Sequence, residues 1–245
     1  WYTHAATLDD VDGDGHLDLA MGNFFRDNAD VLDPHGTGIA KVMHAGKSKA
    51  LNGGGAKLFL WQQCTTGGEP TVKYADVSNA ITDVTGFGWV FAVGAVDLDN
   101  DMLPELYYAN DFGPDRLLHN RSKPGRPQFA LAEGKHTVTT PKSCVLGNDS
   151  FKGMGVSFAD MNHDGYMDIY VSNIADQWAL HESHFVWLST GQPEMFQKGI
   201  APYIQGSEKL GMSRSGWGWD TKFGDMDNDG ETEARDVCHY GVSVR

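Results

Sequence analysis

This sequence predicts an all-β chain built from repeated acidic hairpins, and three observations carry that expectation. A nine-residue acidic loop recurs four times, short β-type runs flank the copies, and glycine accounts for 30 of 245 residues. That share is about 12%, against a usual ~7%. Without a collagen-type period, it marks many tight turns.

The first copy, Asp10-Val-Asp12-Gly-Asp14-Gly15-His-Leu-Asp18, follows the run Trp1–Leu8 and precedes Leu19-Ala20-Met21. The second, Asp97-Leu-Asp99-Asn-Asp101-Met-Leu-Pro-Glu105, is entered from Trp89-Val90-Phe91-Ala92-Val93 and left through Leu106-Tyr107-Tyr108. The third, Asp160-Met-Asn162-His-Asp164-Gly165-Tyr-Met-Asp168, lies between Met154-Gly155-Val156-Ser157-Phe158 and Ile169-Tyr170-Val171. The fourth, Asp225-Met-Asp227-Asn-Asp229-Gly230-Glu-Thr-Glu233, follows Trp217-Gly218-Trp219. After it, Ala234-Arg235-Asp236-Val237-Cys238-His239 lacks the apolar run seen after the others, which leaves the last strands in question. β-branched and aromatic residues suit a pleated surface, so each loop is expected to turn a hairpin.

Oxygen side chains recur at positions 1, 3, 5 and 9 of each copy. The candidate ligands are Asp10, Asp12, Asp14 and Asp18; Asp97, Asp99, Asp101 and Glu105; Asp160, Asn162, Asp164 and Asp168; and Asp225, Asp227, Asp229 and Glu233. Backbone carbonyls at position 7 (His16, Leu103, Tyr166 and Glu231) would add a further oxygen. A hard cation such as calcium takes about six to eight oxygens, and alternate side chains of a tight loop supply them. Glycine at position 6 permits the positive φ of a sharp reversal. The second loop has Met102 there and Pro104 nearby, so a weaker or distorted site is expected. An EF-hand is excluded at three copies, because it needs Glu at position 12, where Met21, Tyr108, Val171 and Asp236 stand. Positions 1, 3, 5 and 9 of these loops hold 15 of the 33 acids, and four doubly charged ions would bring the net charge from −14 to −6.

That acidic balance argues against nucleic acid, which needs Lys and Arg beside its phosphates. No apolar run approaches the ~18 residues of a membrane span. Three cysteines without a C-x-x-C pair give no thiolate zinc site. A Cys64–Cys144 bridge is one arrangement that an oxidising compartment would preserve.

A Phe/Gly-rich strand, the D-x-D-x-D-G-x-x-D loop, an apolar strand and then Asn together resemble the FG-GAP or VCBS repeats, the calcium-loop blades also found in integrin α-subunit propellers. The segment Tyr108-Ala109-Asn110-Asp111-Phe112-Gly113-Pro114-Asp115-Arg116-Leu117-Leu118-His119-Asn120 is similar to the cartilage-acidic-protein/UnbV-like group, as are Tyr74–Ser78 and Ser215–Asp220. The resemblance covers most of the chain except roughly 27–56. It implies calcium at the four loops and a single β-propeller segment over 1–245, with four-stranded antiparallel blades. The second blade is expected at Trp89–Val96, Glu105–Ala109, Arg116–Asn120 and Gln128–Ala132. Repeat spacing leaves room for an incomplete arc of about three to four blades that does not close on itself. Residues 27–56 read as a long insertion, and 175–212 as a long connection with a short helix near Ala179–His184.

The resemblance further implies a secreted, periplasmic or cell-surface scaffold, with a protein or carbohydrate ligand at a propeller face. The alternative is a propeller-face enzyme, a lyase or hydrolase acting on a sugar or secondary metabolite; a purely structural repeat of a larger adhesin is a third. A pocket holding His181, His184 or Asp176 beside other titratable groups would favour the enzyme. Trp89, Trp217 and Trp219 suit packing between blades better than sugar stacking. Asn110, Asp111, Asn173 and Asp176 read as strand-end caps, His119 as a structural histidine, and Gly53-Gly54-Gly55 as a flexible tip.

Overall fold

Four acidic hairpins each open a sheet in a computed structural model, which describes residues 2–27, 29–38, 46, 49–176, 182–230, 232–238 and 241–244. The first sheet runs β1 (Tyr2–Asp9), β2 (Asp18–Phe25), β3 (Gly55–Cys64) and β4 (Val72–Asp76) in chain order. The second runs β5 (Val90–Val96), β6 (Glu105–Asn110), β7 (Arg116–Asn120) and β8 (Phe129–Gly134). The third contains β9 (Gly155–Ala159), β10 (Asp168–Ser172), β11 (Phe185–Ser189) and β13 (Tyr203–Gln205), while the two-residue β12 (Ile200–Ala201) adds in parallel to the edge of β8. The fourth has three strands, β14 (Gly218–Gly224), β15 (Glu233–Cys238) and β16 (Gly241–Val244). Two helices, α1 (Asn79–Thr85) and α2 (Ser207–Leu210), lie outside the sheets.

All four loops close the same way. The residue before position 1 pairs with position 9 in each hairpin: Asp9 with Asp18, Val96 with Glu105, Ala159 with Asp168 and Gly224 with Glu233. The expected strands of the second repeat recur within two residues at each end.

Burial of both faces explains why the middle strands read as continuous apolar runs rather than alternating ones. Every residue of β6 is buried. Leu106 and Tyr108 enter one core with Ala20, Leu58 and Val90 of the first two sheets. Tyr107 and Ala109 enter another with Val156, Ile169, Phe185 and Trp187 of the third. The second sheet is thus packed between the first and third. Inside it, Trp187 Nε1–H donates to Tyr107 Oη (3.2 Å), whose hydroxyl donates to Asp115 Oδ2 (2.7 Å). Asp149 accepts from the Asp115 amide beside it. Burial raises both carboxyls, Asp149 to about 7, so this acid pair resists double ionisation.

Several expectations are corrected. The region 175–212 is not an open connection: it supplies β11 and β13, which complete the third sheet. The helix expected near Ala179–His184 falls largely outside the described residues, and 182–184 are not helical. The stretch after the fourth loop does form strands, because backbone pairing with β14 overrides its side-chain pattern. Gly53-Gly54-Gly55 is no flexible tip. Its three amides donate to Phe87 O, Phe24 O and Gly88 O, and a Cβ on Gly54 would meet Phe25 O at 2.3 Å. Cys64 and Cys144 are free thiols rather than a bridge, and the side chain of Cys238 lies outside the described residues. The first strand, β1, and the last, β16, belong to different sheets.

Candidate metal centres

A carboxylate at position 1 organises each loop. Asp10 Oδ1 accepts from the Asp14 amide (3.0 Å) and its Oδ2 from the Gly15 amide (2.8 Å). Asp97 receives the amides of Asp101 and Met102, Asp160 those of Asp164 and Gly165, and Asp225 those of Asp229 and Gly230. Position 5 then accepts from the position 7 amide: His16 onto Asp14, Leu103 onto Asp101 and Tyr166 onto Asp164, each at 2.9 Å. Glu231, the fourth of these, lies outside the described residues. At position 3, Asp12 Oδ1 accepts from the Asp14 amide and Asn162 Oδ1 from the Asp164 amide.

Position 9 does something the spacing alone did not show. Asp18 accepts the Val11 amide (3.0 Å) and also the Trp61 amide of β3 (2.8 Å). Glu105 accepts from Leu98 and from Asn120 of β7; Asp168 accepts from Met161 and from Ser189 of β11. The acid therefore staples its loop to the third strand of its own sheet. In the fourth loop Glu233 takes the Met226 amide.

Carboxylate oxygens converge in three of the four loops. Asp10, Asp12 and Asp18, without Asp14, place oxygens within 4.8 Å of one another, as do Asp97, Asp99 and Asp101, and Asp225, Asp227, Asp229 and Glu233; Asp160, Asp164 and Asp168 do not form such a group. In the third loop Asn162 Nδ2–H donates to Asp164 Oδ2 at 3.0 Å. Each carboxylate oxygen has a second lone pair beyond its amide partner, and Asp99 Oδ1 is buried with no hydrogen-bond partner at all. Burial raises the acids deepest in the loops, Glu105 to about 9 and Asp18 to about 6, with Asp168 also raised. A cation among them would restore their charged form. This all-oxygen donor set fits calcium.

The second loop keeps the shared frame. Met102 takes φ 73° where the other copies have glycine at 89°, 86° and 92°, so the expected distortion is absent and the strain sits in one residue. A left-handed non-glycine residue costs about 1–2 kcal/mol, and glycine's extra freedom in the unfolded chain offsets about 0.4–1 kcal/mol of that. Met102→Gly is therefore expected to raise the unfolding free energy by about 0.5 kcal/mol, read from denaturant midpoints. An unchanged or lower midpoint would refute the strain.

His119 is the residue that sequence reasoning undervalued. It is fully buried, and its Nε2 lies 3.2 Å from Asp99 Oδ2. Arg121 Nε–H donates to its Nδ1 (3.3 Å), while Nε2 is buried without a hydrogen-bond partner. Asp99, Glu105 and His119 place possible donor atoms within 4.8 Å of one another, so His119 borders the candidate site of the second loop. Aligning the repeats reveals it: the residue before the stapled amide is Leu60 in the first sheet and Leu188 in the third.

The enzyme-like candidates come out differently. His184 is buried, with Nδ1 accepting from the Asn173 amide (2.8 Å) and Nε2 at 2.6 Å from Ser215 Oγ. With Nδ1 an acceptor, the proton is on Nε2 and points at the serine, the wrong tautomer for a base. Ser215 lines a cavity of about 360 Å³ with Tyr170, Arg214, Phe223 and Glu233. His181 lies outside the described residues. Trp89 is buried, its Nε1–H donating to Asn52 Oδ1 (3.0 Å), whereas Trp219 is 37% exposed. Asn110 and Asn173 are buried, their side-chain amides donating to Pro114 O and Ser183 O respectively.

Residues 97–171 match the family model of the FG-GAP-like repeat. The match begins at Asp97, the first position of the second loop, and runs through the third loop into β10. It supports the FG-GAP repeat family for this part of the chain. No curated protein gives a match. No helix among the described residues is long and apolar enough to cross a membrane.

Proposed function

We propose that this chain is a calcium-loaded β-propeller segment serving as an extracellular or periplasmic binding scaffold, with calcium in a structural role. One observation carries the reading: four loops, far apart in sequence, share one hydrogen-bonded frame in which position 1 takes two loop amides and oxygen side chains line the turn. Solvated acidic turns would have no reason to repeat that frame or to bury Asp18, Glu105 and Asp168. The propeller arrangement is supported by four antiparallel sheets in chain order whose first strands line one common cavity. Kinship with the cartilage-acidic-protein/UnbV-like group is part of the same proposal and rests on the Tyr108–Asn120 segment, whose Asp115 and Asn120 side chains are both buried and bonded. A protein or carbohydrate partner at a face of the sheets fits the scaffold.

Calorimetric titration of calcium into chelator-treated protein tests it. Three or four sites are expected, with magnesium substituting poorly because it demands a smaller octahedral shell. Heat of dilution alone would overturn the reading.

A further inference from the structure

We propose that the cavity where β1, β5, β9 and β14 meet binds a neutral pyranose sugar, presented to it by three bulged residues, His4, Phe91 and Trp219. The inference deepens the scaffold reading, on which it rests, by naming the face and the ligand class.

The bulges are the first observation. In β1, Thr3 pairs with Asn23 and Ala5 with Gly22, leaving His4 as the extra residue. In β5, Val90 pairs with Asn110 and Ala92 with Ala109, leaving Phe91. In β14, Gly218 pairs with Cys238 and Asp220 with Val237, leaving Trp219. A bulge re-aims one side chain at a local cost in pairing, and is found near functional sites. Three strands of three different sheets have one at the same level, and all three extra residues are aromatic.

The second observation is where they point. His4 and Phe91 have ring centroids 4.0 Å apart, Phe91 and Trp219 5.7 Å apart. All three line one cavity of about 430 Å³, together with Met154, Asp220 and Lys222, a volume typical of small-ligand sites. Trp217 stacks behind Trp219 at 10° between planes and is itself held by Met154 Sδ (3.3 Å), so the exposed indole is braced.

The chemistry selects the ligand. Aromatic faces carry negative charge and favour the positive C–H edges of a sugar ring. Lys222 Nζ and Asp220 Oδ1 are 3.6 Å apart, so they supply one donor and one acceptor for hydroxyls while cancelling each other's charge. His4 stays open to solvent in β1, and partial desolvation lowers its imidazole from the ordinary value, which works against a positive charge on this third ring. A cavity without net charge gives neither an anion nor a cation an advantage.

The test is a neutral-glycan array of hexose and hexosamine oligosaccharides in calcium buffer, followed by tryptophan-fluorescence titration with the best binder. Trp219→Ala and Phe91→Ala should each weaken binding about tenfold, and Trp219→Phe should retain most of it. Calcium stoichiometry and cooperative unfolding should be kept in all three, with Trp219→Phe the least destabilised, separating loss of the site from loss of the fold. Absence of any glycan binding, binding indifferent to Trp219→Ala, or saturable binding of tetramethylammonium in its place would overturn the proposal while leaving calcium uptake, and the scaffold reading, intact.

Discussion

Chelation of calcium is expected to lower the melting temperature of this protein by about 20 °C or more. An ion held at a hundredfold excess over its dissociation constant stabilises by about 2.7 kcal/mol, and four loops are available. A chain of this size shifts by about 2–4 °C per kcal/mol, so even two or three occupied loops give a large effect. Direct repulsion adds to it. Asp10, Asp12 and Asp18 stand within 4.8 Å of one another, and without a cation burial moves Asp18 towards protonation. Melting curves recorded with excess calcium and with EGTA decide the matter. Superimposable curves would mean that the loops hold their shape through amide hydrogen bonds alone and that the calcium reading is wrong.

Much of this was legible because the loop signature is local. Oxygen atoms at alternate positions, a glycine at position 6 and an apolar strand beyond it lie within a dozen residues, and the hairpin registers follow. What stayed hidden depends on partners far along the chain. The staple from position 9 ends on backbone amides of Trp61, Asn120 and Ser189, and an amide has no side-chain identity to read. The bulges at His4, Phe91 and Trp219 leave no mark either, since a one-residue slip alters pairing without changing composition. Gly53-Gly54-Gly55 looked like a tip because glycine serves mobile and crowded backbone alike; only the 2.3 Å approach to Phe25 O separates the two. His119 read as an ordinary strand residue until the fold set it against Asp99.

The position 9 staple should make the ninth residue of a loop far more costly to lose than the fifth. Asp168 is fully buried and accepts the Met161 and Ser189 amides. Asp168→Ala leaves both without an acceptor, at about 1–3 kcal/mol each, and opens a small cavity between loop and β11. A loss of about 3–5 kcal/mol follows. Asp164, at position 5, is exposed and its amide donors can turn to water, so Asp164→Ala should cost under about 1 kcal/mol. Both variants are to be unfolded in EGTA, where ion binding contributes nothing and only the loop frame is measured. Asp168→Asn, which keeps one acceptor oxygen and turns an amide NH₂ towards a donor, should fall between. Equal losses for Asp164→Ala and Asp168→Ala under those conditions would show that the ninth residue serves the ion alone. A large gap would instead assign it a second task, joining the loop to the third strand so that the ion site and the sheet stand or fall together.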